Sequence, residues 1–330
     1  MATKTEKKVL LYSHGELLGD ALLKLPSLSV LKSAFPDYKI IWCSGRGRTF
    51  YAGVLSPLVD RYVDEVLEDI KLGHSWTELF SQPQTSEYYE VIIDTQTILR
   101  STILLKRVPH GCFVSSSAGF FFSDKKPENK AAMFDGSIQQ RLLNLIRLAS
   151  GKEVNIDFHV NLPDKYRQVA QKLLPNGPDY IGLAPGSGGL KKCWPLDRYI
   201  ETAKEQQRTK RTPVFFLGPN ENDLFQALKQ AVPEALYPEQ ENTSKETGGP
   251  LLSIALAERI KVGVANDSGA GHIMSISGSP LISLFGHSNV EKFVHYGKCR
   301  RVLEAKQFGG VEMHRIPVKA VVEEIDDILS

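Results

Sequence analysis

The amino-acid sequence predicts an α/β protein built from two Rossmann-like domains. Three observations lead there. Short apolar, β-branched runs alternate with helical patterns, as in a parallel sheet covered by helices. That alternation weakens near residue 150 and restarts near residue 179. The chain has 330 residues, too many for one ordinary hydrophobic core.

The first expected strand is Val9-Leu10-Leu11-Tyr12. A glycine-containing turn follows, then a helix carrying Leu22, Leu25, Leu28, Leu31 and Phe35 at spacings of three to four residues, which makes one buried face. Pro26 is expected near the start of that helix, where proline is best tolerated. Lys39 to Cys43, Val91 to Asp94 and Gly111 to Val114 read as further strands. Leu174-Pro175-Asn176-Gly177-Pro178 is a clear breaker. Beyond it come a strand from Tyr180 to Ala184, a helix from Pro195, a strand from Val214 to Leu217 and a helix from Glu221. Strands at Lys261 to Ala265 and Leu281 to Phe285 follow, and a last helix from near Pro317 to Leu329. Asn242 to Pro250 is polar and glycine-rich and reads as a surface loop. The expected division is residues 1–150 for the first domain, a linker region at 151–178, and residues 179–330 for the second, with the last helix expected to pack back on the first domain.

Composition narrows the function. Forty basic residues nearly balance 38 acidic ones, so the net charge of +2 gives no footprint for nucleic acid. The N-terminus is polar and runs straight into a strand, and no apolar run approaches the roughly 20 residues that span a bilayer. A cytoplasmic protein is expected. Cys43, Cys112, Cys193 and Cys299 form no CxxC pair and read as reduced thiols. His287, His295 and His314 lack ligand spacing, and Asp326-Asp327 reads as a solvated helix face. No metal and no cofactor are expected.

Four loops carry candidate chemistry, each where a strand ends, as ligands in open α/β sheets require. In His14-Gly15-Glu16-Leu17-Leu18-Gly19-Asp20, the carboxylate of Asp20 suits proton abstraction from a sugar hydroxyl, or it caps the helix; His14 and Glu16 are lesser candidates for the same role. Ala184-Pro185-Gly186-Ser187-Gly188-Gly189 with Lys191 and Lys192 combines glycines, a hydroxyl and two ammonium groups. That suits a phosphate better than it suits a plain surface turn. The GxxxxGK[ST] spacing of a P-loop is absent, and no GxGxxG follows the first strand. Asn266-Asp267-Ser268-Gly269-Ala270-Gly271-His272 delivers an acid, a hydroxyl and glycines to a helix start. Asp267 suits sugar hydroxyls, and Ser268 and Gly269 suit phosphate. A helix-capping Asp267 and a core His272 are the simpler readings. In Leu217-Gly218-Pro219-Asn220-Glu221, Glu221 suits ribose hydroxyls, with capping by Asn220 as the equally simple alternative.

Taken together, these segments resemble glycosyltransferase family 9, the heptosyltransferase family. Gly19-Asp20-Ala21-Leu22 through Leu25-Pro26 resembles its opening motif, and Tyr89 to Gln96 with Leu99-Arg100-Ser101 its next strand and helix. Ala184-Pro185-Gly186-Ser187 with Lys192-Cys193-Trp194-Pro195, then Asn266-Asp267-Ser268-Gly269 to His272, then Pro280 and Leu284-Phe285-Gly286, follow in family order up to about Gly297. The resemblance implies a GT-B fold, two Rossmann-like domains facing a cleft. Residues 1–150 would form the acceptor domain and residues 179–330 the donor domain. The implied reaction is inverting transfer from a nucleotide sugar, usually ADP-heptose, to a lipid-linked core oligosaccharide of lipopolysaccharide. At most peripheral contact with the inner membrane follows from that.

By resemblance, Asp20 matches the general base. Ser187 and Lys192, with Gly188 between them, match donor-phosphate contacts. Asp267, Ser268 and Gly269 match the sugar and diphosphate corner, and His272 the family histidine there. The chain departs at Tyr12-Ser13-His14-Gly15-Glu16, where the family commonly has a basic residue, at Thr97 in place of glycine, and at His287-Ser288 in place of Pro-Thr. A related transferase using another nucleotide sugar, or a lapsed nucleotide-binding scaffold, are the alternatives.

Overall fold

The computed structural model describes residues 6–70, 72–73, 75–82, 85–288, 290 and 300–330. His295 and Cys299 lie outside the described residues. The chain divides into two compact units, Met1–His159 and Val160–Ser330.

Unit 1 holds one parallel sheet. Its strands are β1 (Lys8–Ser13), β2 (Lys39–Ser44), β3 (Glu65–Glu68), β4 (Tyr89–Asp94) and β5 (His110–Ser115), in the order β3-β2-β1-β4-β5. The helices are α1 (Leu18–Ala34), α2 (Ser56–Val59), α3 (Leu99–Leu105) and α4 (Ile138–Ser150). The inner strands read as unbroken apolar runs because both faces of a parallel sheet are covered. Leu10, Ile41, Ile92 and Phe113 accordingly share one core with Leu104 and Leu105 of α3. The order reverses between β1 and β4, so the carboxyl ends of these two strands flank the crevice of the sheet.

Helix α1 is buried on nearly every side. It begins at Leu18, so Pro26 sits two turns inside it rather than near its start. The carbonyl of Leu22 therefore lacks its usual donor four residues on. At the other end Lys152 Nζ donates to Ala34 O at 2.8 Å and caps the helix with a cation. Helix α4 has both of its ends written locally. Ser137 Oγ accepts from Gln140 N, and Gly151 takes the left-handed conformation, φ 71°, that ends the helix.

Unit 2 repeats the plan. Its strands are β6 (Tyr180–Ala184), β7 (Thr212–Phe215), β8 (Val262–Asn266), β9 (Leu281–Phe285) and β10 (Arg300–Glu304), ordered β10-β9-β8-β6-β7 and all parallel. The switch of order lies between β6 and β8. Its helices are α5 (Asp164–Leu173), α6 (Leu196–Arg208), α7 (Asn222–Ala231), α8 (Pro238–Glu241), α9 (Pro250–Ala257), α10 (Gly269–Ser277) and a last helix, Val318–Leu329. Tyr199 and Ala203 of α6, Leu228 of α7, and Val321 and Ile325 of the last helix pack on Ile181, Phe215, Val264 and Ile282 of the sheet. Arg167 of α5 donates to both carboxylate oxygens of Glu258 at 2.8 and 2.9 Å, which ties α5 to the end of α9. Asp326 and Asp327 are held by Arg211 and Arg301, so this acidic pair closes the last helix onto its own unit.

Two strands carry no sequence signal. β3 is four half-buried residues, two of them glutamates, and β10 opens on two exposed arginines. Among the described residues each pairs on one side only, so neither needs the apolar run that marks an inner strand.

Candidate active site

In unit 2 the glycine-rich loop after β6 and the corner after β8 meet at the switch of the sheet. Asn266, the last residue of β8, is completely buried and staples them together. Its Oδ1 accepts from Trp194 N at 3.0 Å, and its Nδ2 donates to Pro185 O at 2.8 Å and Gly186 O at 3.4 Å. Trp194 is itself anchored by donating Nε1 to Ile316 O at 2.9 Å. The loop between these fixed ends carries Ser187 and Lys192 against the next residue of the corner. Ser187 Oγ donates to Asp267 O at 3.3 Å, and Lys192 Nζ lies 2.6 Å from Asp267 Oδ2. The Asp267 side chain is nearly buried, while that of Lys192 is 43% exposed. The pair thus joins a fixed carboxylate to a cation that can reach solvent.

Helix α10 starts at this corner. Its N-cap is Ser268, whose Oγ accepts from Gly271 N at 3.4 Å, so the capping role belongs to Ser268 and not to Asp267. The N–H groups of Gly269 and Ala270 have no partner among the described residues. Open backbone donors, the positive end of α10 and the Lys192 ammonium converge on one place, which is the make-up of an anion site. Space is open above both Gly188 and Gly269. His272 is buried one turn into α10, and its N–H bonds Ser268 O.

Glu221 joins the same loop from β7. Its Oε2 accepts from Gly218 N at 2.8 Å, and an ideal Cβ on Gly186 would lie 1.7 Å from its Oε1. Position 186 is glycine because the carboxylate occupies the space a side chain would need. Helix α7 has no side-chain cap from Asn220; Glu221 stands at its N-cap position instead. Behind Glu221, Glu239 of α8 accepts from Leu217 N at 2.8 Å and from Ser253 Oγ of α9. Gln240 Nε2 donates to Leu217 O at 3.2 Å, so α8 grips both backbone groups of Leu217. Burial pushes the Glu239 carboxyl up to about 7, against the lowering effect of its Ser253 and Leu217 donors; the neighbouring Glu221 charge adds to the rise.

In unit 1 the corresponding place is the carboxyl end of β1 and β4. Asp20 lies in the first turn of α1, exposed, and its carboxylate makes no hydrogen bond to the described residues. The N-cap position is Leu17, so Asp20 does not cap the helix. Glu16 is buried and pairs with Lys24 at 3.3 Å, which removes it from the surface that Asp20 faces. His14 Nε2 lies 3.2 Å from Ser101 Oγ. Asp94 closes β4: its Oδ1 accepts from Gln96 N at 2.9 Å, and its Oδ2 from Thr102 Oγ1 and Ser115 Oγ at 2.7 and 2.8 Å. Burial raises its carboxyl to about 6, against those three donors.

The structure therefore gathers Ser187, Gly188, Lys192, Glu221, Asp267, Ser268 and Gly269 around one corner of unit 2, with His272 just beneath. Asp20 stands in unit 1. Asn266 and Glu239 have structural roles that sequence reasoning did not assign; the only signal was the place of Asn266 at a strand end beside Asp267. Among the described residues no cluster of three or more His, Cys, Asp or Glu is placed to hold a metal ion.

The sequence profile described as glycosyltransferase family 9 (heptosyltransferase) matches residues 81–314. The chain belongs to glycosyltransferase family 9. It is accordingly a glycosyltransferase, and its two parallel-sheet units are the Rossmann-like units of the GT-B class. Solved structures share the fold. A family 9 glycosyl transferase from Veillonella parvula DSM 2008 matches with a TM-score of 0.75 at 20% identity, covering 100% of this chain and 99% of that one. The Escherichia coli ADP-heptose LPS heptosyltransferase II matches at 0.68 and 20% identity, covering 98% of each chain. Escherichia coli heptosyltransferase WaaC with ADP matches at 0.68 and 18%, covering 97% of this chain and 99% of that one. No curated protein matches the chain by sequence.

The raised Glu239 carboxyl has a defined consequence for this family 9 chain. Its folded value, about 7, lies above the ordinary 4.5. The folded state holds the proton more tightly, so this group contributes stability that is full below 4.5 and lost as pH rises through 7. In Glu239→Gln, Oε1 can still accept from Leu217 N, and the amide can donate to Ser253. Trp194, the one tryptophan of unit 2, reports unfolding of that unit. Denaturant titrations should show wild-type stability falling relative to the glutamine variant between pH 4.5 and 7. Parallel pH profiles for the two proteins would show that Glu239 is not the titrating group.

Proposed function

We propose that this chain is an inverting heptosyltransferase that moves heptose from ADP-heptose to an acceptor of the lipopolysaccharide-core type. The observation that carries the reading is the Lys192–Asp267 pair at the start of α10. It sets a movable cation and open helix N–H groups beside a nearly buried carboxylate, which is what a sugar joined to a diphosphate requires. The same fold in Escherichia coli has been seen with ADP and with ADP-2-deoxy-2-fluoro heptose, which favours an adenine nucleotide and a heptose for this chain.

In this reading the donor diphosphate lies across Ser187, Gly188 and the first turn of α10 at Ser268 and Gly269. Lys192 exchanges its carboxylate partner for phosphate oxygens. That exchange frees Asp267 to accept hydrogen bonds from hydroxyls of the donor sugar. Glu221 accepts from the ribose hydroxyls, and His272 supports the corner from below. Asp20 removes the proton from the acceptor hydroxyl as its oxygen attacks the anomeric carbon from the face opposite the leaving group. The bond from that carbon to the diphosphate oxygen breaks, and the configuration inverts. The proton ends on Asp20, and the new negative charge ends on the departing ADP. Lys192 and the α10 terminus stabilise that charge more than they stabilise the bound donor, which is where their catalytic effect lies. These groups do the work that a divalent ion does elsewhere, so the reaction needs no metal. The acceptor is lipid-linked, and the protein meets the cytoplasmic face of the inner membrane through it.

Release of nucleotide from ADP-, GDP- and UDP-sugars tests the donor directly. ADP-heptose should be the best substrate, and a clear preference for a GDP- or UDP-sugar would replace it. Asp20→Asn should lower turnover by about 10²–10⁴-fold with donor affinity nearly unchanged. Near-normal turnover would remove Asp20 as the base. Lys192→Ala should weaken ADP binding as well as slow transfer, and unchanged ADP affinity by calorimetry would contradict the phosphate role. Activity should survive EDTA. Its complete loss, restored by magnesium or manganese, would show that a metal takes part.

A further inference from the structure

The crevice of unit 1 is floored by a polar cluster that the donor chemistry does not use. Lys24 reaches back from the second turn of α1 to the end of β1, where its Nζ donates to Ser13 Oγ at 3.0 Å and to Glu16 Oε1 at 3.3 Å. Gln96, two residues past the end of β4, reaches the same Ser13 Oγ from the other side at 3.5 Å and donates to Thr95 Oγ1 at 3.0 Å. Ser13 and Asp94 end the two strands between which the sheet order reverses. The cluster therefore sits at the topological switch, where open parallel sheets bind their ligands.

Its unused hydrogen-bonding capacity is specific. An ammonium has three N–H groups, and two of those on Lys24 are taken. The third has no acceptor oxygen among the described residues; on that side the ammonium has the buried Trp42 ring, 5.9 Å away at its centroid, which takes no hydrogen bond of full strength. The Gln96 amide nitrogen is fully used, whereas its Oε1 accepts from no described residue. Both side chains are partly exposed. One open donor and one open acceptor thus meet over a common hydroxyl.

The charge of the cluster is set by Glu16. This side chain is 2% exposed, and its Oε2 is buried with no partner. A buried unpaired carboxylate oxygen is costly, so the fold tolerates it for what the other oxygen holds, the Lys24 ammonium. Paired in this way, Lys24 keeps its N–H groups but contributes no net charge. Such a floor suits uncharged hydroxyls better than a phosphate or a carboxylate.

We propose that Lys24 and Gln96 form an acceptor subsite that grips two neighbouring hydroxyls of the acceptor sugar, Lys24 donating to one and Gln96 Oε1 accepting from the other. The inference rests on the transferase reading above and names the residues that choose its acceptor. Asp20, four residues before Lys24 on the same helix, would then meet a sugar already held in one orientation.

Calorimetry on the full chain with bound ADP tests it, using as probe the deacylated core oligosaccharide of a lipopolysaccharide. The wild type should bind. Gln96→Leu, at a half-buried position, should weaken binding about tenfold, the effect of one lost hydrogen bond. Lys24→Met should weaken it at least as much. ADP affinity should not change in either variant, nor should the unfolding of unit 1 followed by the fluorescence of its tryptophans Trp42 and Trp76, which a merely structural defect there would not spare. Unchanged oligosaccharide affinity in Gln96→Leu, or no binding by the wild type, would overturn the proposal. A chain that binds the oligosaccharide through Gln96 but releases no nucleotide from any nucleotide sugar would sink the transfer reading and leave this subsite standing.

Discussion

The side chain of Asn266 is buried among polar groups that it alone satisfies among the described residues. It accepts from the backbone of Trp194 and donates to the carbonyls of Pro185 and Gly186, so one amide joins both ends of the glycine-rich loop to the end of β8. Leaving such buried groups unpaired costs about 1–3 kcal/mol each, a large fraction of the stability of an ordinary domain. The placement of Ser187 and Lys192 against Asp267 depends on this joint, because the loop between them is exposed and rich in glycine. Without it, the loop would have little reason to hold one conformation.

Unit 1 solves the same problem with a different side chain. Asp94 ends the strand that flanks its own switch point, and it gathers Gln96, Thr102 and Ser115 as Asn266 gathers Pro185, Gly186 and Trp194. Both residues are completely buried. A polar side chain at the carboxyl end of an inner strand can bond the loop that follows it and the loop of its neighbour at once. Fully satisfied buried networks of this kind fix a single arrangement of the loops they join.

The two units also share a way of holding a lysine. Asp267 and Glu16 are both nearly inaccessible carboxylates, and each is paired with a lysine from another segment. Taking a carboxylate out of water offsets much of what its ion pair gains, so these two make more sense as devices of position. The Lys192 side chain is far more exposed than that of Lys24, 43% against 13%, and so is freer to change partner. The first lysine suits a ligand that brings its own negative charge. The second, enclosed beside its carboxylate, suits one that brings none.

The sequence by itself determined the α/β class and the division into two parallel-sheet units, and it marked the loops that carry candidate chemistry. Inner strands such as Val9 to Tyr12 and Tyr180 to Ala184 must be continuously apolar, and glycine, serine and lysine between a strand and a helix carry their chemistry in their order. Motif order also pointed to the family that the profile match then established. The edge strands Glu65–Glu68 and Arg300–Glu304 left no such mark, since one unpaired side and half-exposed residues impose no pattern. The assignment of caps was likewise invisible. Asp20, Asp267 and Asn220 all had the right residue type, and only the backbone showed that Leu17, Ser268 and Glu221 occupy those positions. The partners of Asn266 and of Lys192 lie 72 to 81 residues away in the chain, and Glu239 meets Leu217 across 22. Periodicity and motif spacing are local, reaching a few turns or one loop. Which distant polar groups share a burial site is decided when the sheet brings strand ends together, and only the tertiary structure records it.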